Sequence, residues 1–167
     1  MTEAYRGAIG AFPYAFSASD SWFFRVYWVI GTLAATIVAV VVGMALVVEL
    51  GRTAELTRGG LVSFSRSLFV FLGFTAAGPL IAPILLVARR HRRGTTVHRL
   101  YDQAMAACGY LFLGSVYLAL LISAPPAFQE PTTSPILGAL YAAHPVAGIG
   151  PPIVAFGVMA LTHRRLG

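Results

Sequence analysis

The stretch VARRHRRGTTVHRLYD (residues 87–102) sets five arginines and two histidines into sixteen residues, with an apolar run on either side. Whether it is a nucleic-acid grip, a lipid clamp or an orientation signal depends on what flanks it. Working outward, the apolar runs are 64–88 and 22–50 before it, and 101–124 and 136–162 after it. Each is longer than the ~20 residues that a helix rising ~1.5 Å per residue needs to cross a ~30 Å hydrocarbon core. Composition points the same way. The chain is 57% hydrophobic and 11% charged, whereas an ordinary soluble domain carries about 25% charged residues. Lipid is therefore the expected solvent. The expected fold is all-α, a multi-pass four-transmembrane-helix bundle in the cell membrane, forming one membrane domain over residues 1–167 with 1–21 as an interfacial segment.

Charge placement then decides how the stretch is read. If residues 89–100 face the cytoplasm, four crossings put both termini there too. Arg6, Arg25, Arg89, Arg90, Arg92, Arg93, Arg99, Arg164 and Arg165 then lie inside, and only Arg52, Arg58 and Arg66 outside. Nine against three is a strong positive-inside bias. The loop SAPPAFQEPTTSP (residues 123–135), with Glu130 and no basic residue, fits the outer side. The basic rim of Arg89, Arg90, Arg92, Arg93 and Arg99 is thus expected to orient the chain and to meet anionic lipid headgroups, at ~1 kcal/mol per arginine. Nucleic acid is not an expected partner, since the stretch is short, lies against the bilayer and has no aromatic stacking platform of its own.

The first run is read as a retained span rather than a signal peptide, because it far exceeds the roughly 7–15 apolar residues of a signal sequence and no small-residue cleavage site follows Leu50. The single cysteine, Cys108, falls inside the third run and is read as a buried structural thiol. Every basic residue is arginine, and the chain has neither lysine nor asparagine. The segments YRGAIGAFPYAFSASDSWFFRVY (5–27), LLVARRHRR (85–93) and YDQAMAACGYLFL (101–113), in this order between apolar spans, resemble a family of small uncharacterised four-span membrane proteins of haloarchaea. That resemblance implies a topology and no activity, and it assigns a role to no residue.

Each span can be read for its ends and packing face. Ser19 or Asp20 is the expected N-cap of span one. The preceding apolar segment, interrupted by Pro13, is too short to cross and is expected to lie along the interface. Ala35, Ala39 and Gly43 form a small-residue stripe, either a packing seam or a dimerisation face. Pro79 and Pro83 are expected to kink span two. At the outer ends of spans one and two, Glu49 and Arg66 are expected to approach each other, the alternative being that each reaches water separately.

Span four is the unusual one. In YAAHPVAGIGPPIV (residues 141–154) three prolines and two glycines should break the helix near mid-membrane, with His144 at the break. An ionisable group at depth is a candidate functional site, and Tyr110, Tyr117 or Tyr141 could hydrogen-bond it. Ser115 and His144 could meet, yet no acidic partner orients the histidine as a base, so an enzyme is not expected. His91, His98 and His163 could gather at the cytoplasmic edge, but no ligand spacing supports a metal there, and no cofactor is expected. Two functions remain. The first is a non-enzymatic membrane-embedded subunit or scaffold, with a membrane-protein partner or as a homo-oligomer. The second is a small oligomeric transporter or channel using the broken fourth span, with His144, Tyr141, Tyr117 and Ser115 as its polar site.

Overall fold

A computed structural model describes residues 7–53, 60–94, 99–129 and 131–167. The fold is all-α, and no strand occurs among the described residues. The helices are α1 (Gly7–Ala18), α2 (Trp22–Arg52), α3 (Gly60–Arg92), α4 (Arg99–Ile122), α5 (Pro135–Ala142) and α6 (Gly150–Leu166), with 3-10 turns at Pro126–Phe128 and Pro145–Ile149. Four stretches are long and apolar enough to cross a membrane: Trp22–Arg52, Arg66–Arg92, Arg99–Ile122 and Pro145–Leu166.

The segment before span one is a continuous helix despite Pro13. It packs on α3, with Ala11 and Ala15 buried. The turn into α2 is made by three polar residues. Ser21, not Ser19 or Asp20, caps α2, its hydroxyl accepting from the Phe24 amide. Ser19 is buried and turns instead toward α4. Trp28 donates its indole N–H to the Phe12 carbonyl, fastening α1 back along the start of α2.

The helix α3 runs on through Pro79 and Pro83 and ends where Gly94 adopts φ +67°. That left-handed conformation is easily reached only by glycine and stops a helix. Four basic residues, Arg89, Arg90, His91 and Arg92, fill its last turn, where they meet the negative end of the helix dipole. Asp102 in the first turn of α4 suits the opposite pole.

Central to the packing is α4, which touches α2, α3 and α6. Buried side chains concentrate toward its first half: Phe24, Tyr27, Leu80, Ile84, Val87, Tyr101, Met105, Phe112 and Met159. The helices are therefore closed at the arginine-rich end. Toward the other end, α3 and α6 leave between them an apolar cleft of ≈ 670 Å³ floored by α4, lined among others by Ala76, Gly78, Ala119 and Gly148.

The fourth run breaks at His144, as its prolines and glycines lead one to expect: it is a short helix α5, an extended pair at Ala143 and His144, a 3-10 turn, and α6. Proline disfavours the helical conformation at the residue before it, which explains the extended His144 ahead of Pro145. Pro151 and Pro152 lie in the first turn of α6, where backbone amides have no intrahelical acceptor to lose, so they start this helix rather than interrupt one. The stretch able to cross begins only at Pro145, so His144 lies just before it and not at its middle.

Candidate functional site

The polar side chains gather at the arginine-rich end, and they are there because helix ends carry the charges. Asp102 is almost wholly buried, at 2% exposure. Its carboxylate accepts from the Ser19 hydroxyl at 2.5 Å and faces His91 Nε2 at 3.0 Å. One carboxylate thus joins the α1–α2 turn, the end of α3 and the start of α4. The residue beside it forms a second link. The Tyr101 hydroxyl meets His163 Nδ1 at 2.8 Å, tying α4 to the end of α6, and Arg90 lies over the Tyr101 ring at 4.6 Å. These bonds place α1, the start of α2, the end of α3, the start of α4 and the end of α6 at one end of the molecule.

A pocket of ≈ 340 Å³ opens there between α3 and α6, lined by Leu86, Arg89, Arg90, Arg93, His163 and Gly167. Arg92 and Arg99 are exposed on the rim. His91 and His163 do not converge, each being held by a different partner, while His98 lies outside the described residues. Among the described residues no group of three potential metal ligands occurs.

The polar set expected around His144 does not assemble. His144 is exposed, and its Nδ1 accepts from the Val146 amide at 3.3 Å, so the ring caps the 3-10 turn. Ser115 is buried and donates to the Phe112 carbonyl of its own helix at 2.6 Å. Tyr117 is 63% exposed, and Tyr141 is half-buried. Tyr110 stacks edge-on against Tyr27 on the far side of α4. What does pack inward near the break is Gly148, where a Cβ would come within 3.0 Å of the Ala119 carbonyl, while Ser123 donates to the Pro145 carbonyl. At the other helix ends, the described contacts of Arg66 are to Thr53, at 2.9 Å for Nη2 and 3.2 Å for Nε. The Thr53 hydroxyl in turn donates to the Glu49 carbonyl at 2.6 Å. Arg66 therefore reaches the end of α2 through Thr53 and the backbone.

The Ser19–Asp102–His91 group escaped sequence reading, although one signal for it was present. An aspartate in the first turn of an otherwise apolar helix calls for a partner if it is buried. Which partner depends on the α1–α2 turn, more than eighty residues away in the chain, and no spacing rule connects them.

A family model described as a domain of unknown function (DUF8056) matches residues 1–167. The chain belongs to this family. No curated protein and no solved structure matches it. Membership in DUF8056 brings no activity with it, so what the arginine-rich end and the cleft can do must come from their geometry.

Proposed function

We propose that this DUF8056 chain is a four-span protein of the cell membrane that serves as a non-enzymatic embedded subunit, receiving a transmembrane helix of a partner in the cleft between α3 and α6. The observation that carries this reading is the cleft itself. It is apolar, lies within the stretches able to cross a membrane, and has small residues on each side: Ala76 and Gly78 on α3, Ala119 on α4, Gly148 before α6. Between helices in lipid, small residues allow the close approach that packing needs.

A second observation favours a frame over a catalyst. Several well-buried polar side chains serve as ties between helices: Asp102 to Ser19 and His91, Tyr27 to the Leu80 carbonyl, Tyr101 to His163. Transport through the broken fourth span has less support, because His144 is exposed and occupied with its own turn. To test the docking, a photo-crosslinking residue replaces Phe156 on the cleft wall, and another replaces Val40 on the exposed face of α2. In native membranes position 156 should give an adduct mapping to a transmembrane segment of another chain, and position 40 only lipid adducts. Lipid adducts alone at position 156 would defeat the reading.

In orientation, the arginine-rich end and both termini face the cytoplasm, on the strength of the nine-to-three division of arginines. The all-arginine basic complement suits a haloarchaeal host. In a Cys108→Ser background, Thr132→Cys should react with an impermeant maleimide on intact cells, and Thr95→Cys only after lysis. Labelling of position 95 from outside would reverse the topology.

A further inference from the structure

We propose that the pocket between the end of α3 and the end of α6 binds a phosphate group through Arg89, Arg90 and Arg93. The inference stands independently of what fills the cleft, since the two sites use different residues.

Three guanidinium groups line one pocket of ≈ 340 Å³. Arg93 lies one residue past the end of α3 and its amide still bonds the Arg89 carbonyl at 3.3 Å, so two like charges stand one turn apart, a spacing that costs roughly 0.2–0.5 kcal/mol by itself. Among the described residues Asp102 is engaged by Ser19 and by His91 Nε2, and no acidic side chain is in ion-pair contact with these three arginines. Arg90 is the most constrained of the three: its Cζ is held 4.6 Å over the Tyr101 ring, so the guanidinium is positioned at the pocket before an anion arrives and little side-chain freedom is lost on binding.

Phosphate fits this charge better than a carboxylate does. A phosphodiester headgroup brings one permanent negative charge and two free oxygens, and inorganic phosphate up to two charges and more oxygens; guanidinium geometry matches either through paired N–H donors. Tyr101 holds Nδ1 of His163 and so fixes that ring on the opposite wall. Leu86 sets an apolar edge where the pocket meets the body of the helices. A basic pocket between membrane-crossing helices is a recurrent setting for phospholipid headgroups, and a free phosphate offers the same oxygens.

Two probes distinguish these sources when titrated into the full-length protein in neutral detergent: short-chain phosphatidylglycerol and inorganic phosphate. Saturable binding of the lipid alone identifies a headgroup site; saturable binding of inorganic phosphate as well identifies a site for the bare anion. Either supports the proposal, and failure of both to saturate overturns it. Arg90→Gln should weaken the bound probe about tenfold or more, the scale of a lost charge-assisted hydrogen bond. Should that variant fold poorly for want of its contact with Tyr101, the double variant Arg89→Gln/Arg93→Gln changes two exposed side chains and should weaken binding at least as much. Arg99→Gln, on the rim outside the pocket, should leave affinity within about twofold. Equal loss from Arg99→Gln would show general attraction to a basic surface and refute the site. The crosslink at position 156 is an independent readout, so either proposal can fail alone.

Discussion

Asp102→Ala should lower the stability of the purified protein by about 3–5 kcal/mol, the scale of breaking a buried hydrogen-bond network that joins several elements. At about 2–4 °C per kcal/mol for a chain of this size, the unfolding midpoint in detergent should fall by about 6–20 °C. The magnitude follows from how many elements one carboxylate joins. Ser19 and His91 lose their shared acceptor together, and Ser19 is fully buried. Asp102→Asn keeps an oxygen for Ser19 and should lose less than half as much. His91→Ala combined with Asp102→Ala should cost clearly less than the two singles added, because the second change removes a group the first had already stranded. Additive effects, or a loss below about 1 kcal/mol for Asp102→Ala, would show that the contact is peripheral.

That contact also marks where sequence reading stops. Hydropathy alone outlines three of the four long helices, since 22–50, 64–88 and 101–124 are uninterrupted apolar runs with charges at their ends. The fourth run defeats the same criterion. Ile136, Leu137, Leu140 and Tyr141 are as apolar as a span requires, yet they belong to α5, an eight-residue helix ended by an extended pair before Pro145. A hydropathy sum does not register that Pro145 constrains His144, or that Pro151 and Pro152 begin a helix as readily as they break one. Counting residues 136–144 into the span puts His144 near mid-membrane, whereas the stretch able to cross by length and composition begins at Pro145.

Partnerships were harder to read than spans. Arg90 is one of five arginines in a run, and nothing in the run distinguishes the one whose Nε is buried. That depends on Tyr101 lying beneath it, and hence on the angle at which α4 meets α3. Ser115 illustrates the reverse error, for a serine in an apolar helix invites a functional reading, whereas its hydroxyl bonds the carbonyl three residues back. Pairings across helices are set by packing, and packing here turns on a few close approaches that the one-dimensional pattern does not encode.

The tightest of those approaches is Tyr27 against Gly109, and Gly109→Val should be strongly destabilising. The Tyr27 ring is fully buried, and a Cβ at position 109 would fall inside the van der Waals radii of its Cζ and Cε2. The ring has little freedom to retreat. Its hydroxyl donates to the Leu80 carbonyl at 2.6 Å, and Tyr110 packs edge-on at 5.1 Å. Even Gly109→Ala sets about 1 kcal/mol gained in helix propensity against about 1–3 kcal/mol of overpacking and about 1 kcal/mol for the hydrogen bond to α3 if the ring moves. Alanine should therefore come out net destabilising, and valine, with two further methyl groups, more so. The decisive comparison is a cycle with Tyr27→Leu, a side chain without the atoms that meet position 109. In that background Gly109→Ala should be nearly neutral or stabilising, because the clash has gone and the gain in helix propensity remains. An equal penalty with tyrosine or leucine at position 27 would mean that the strain lies in the α4 backbone and that the α2–α4 seam is not set by this contact.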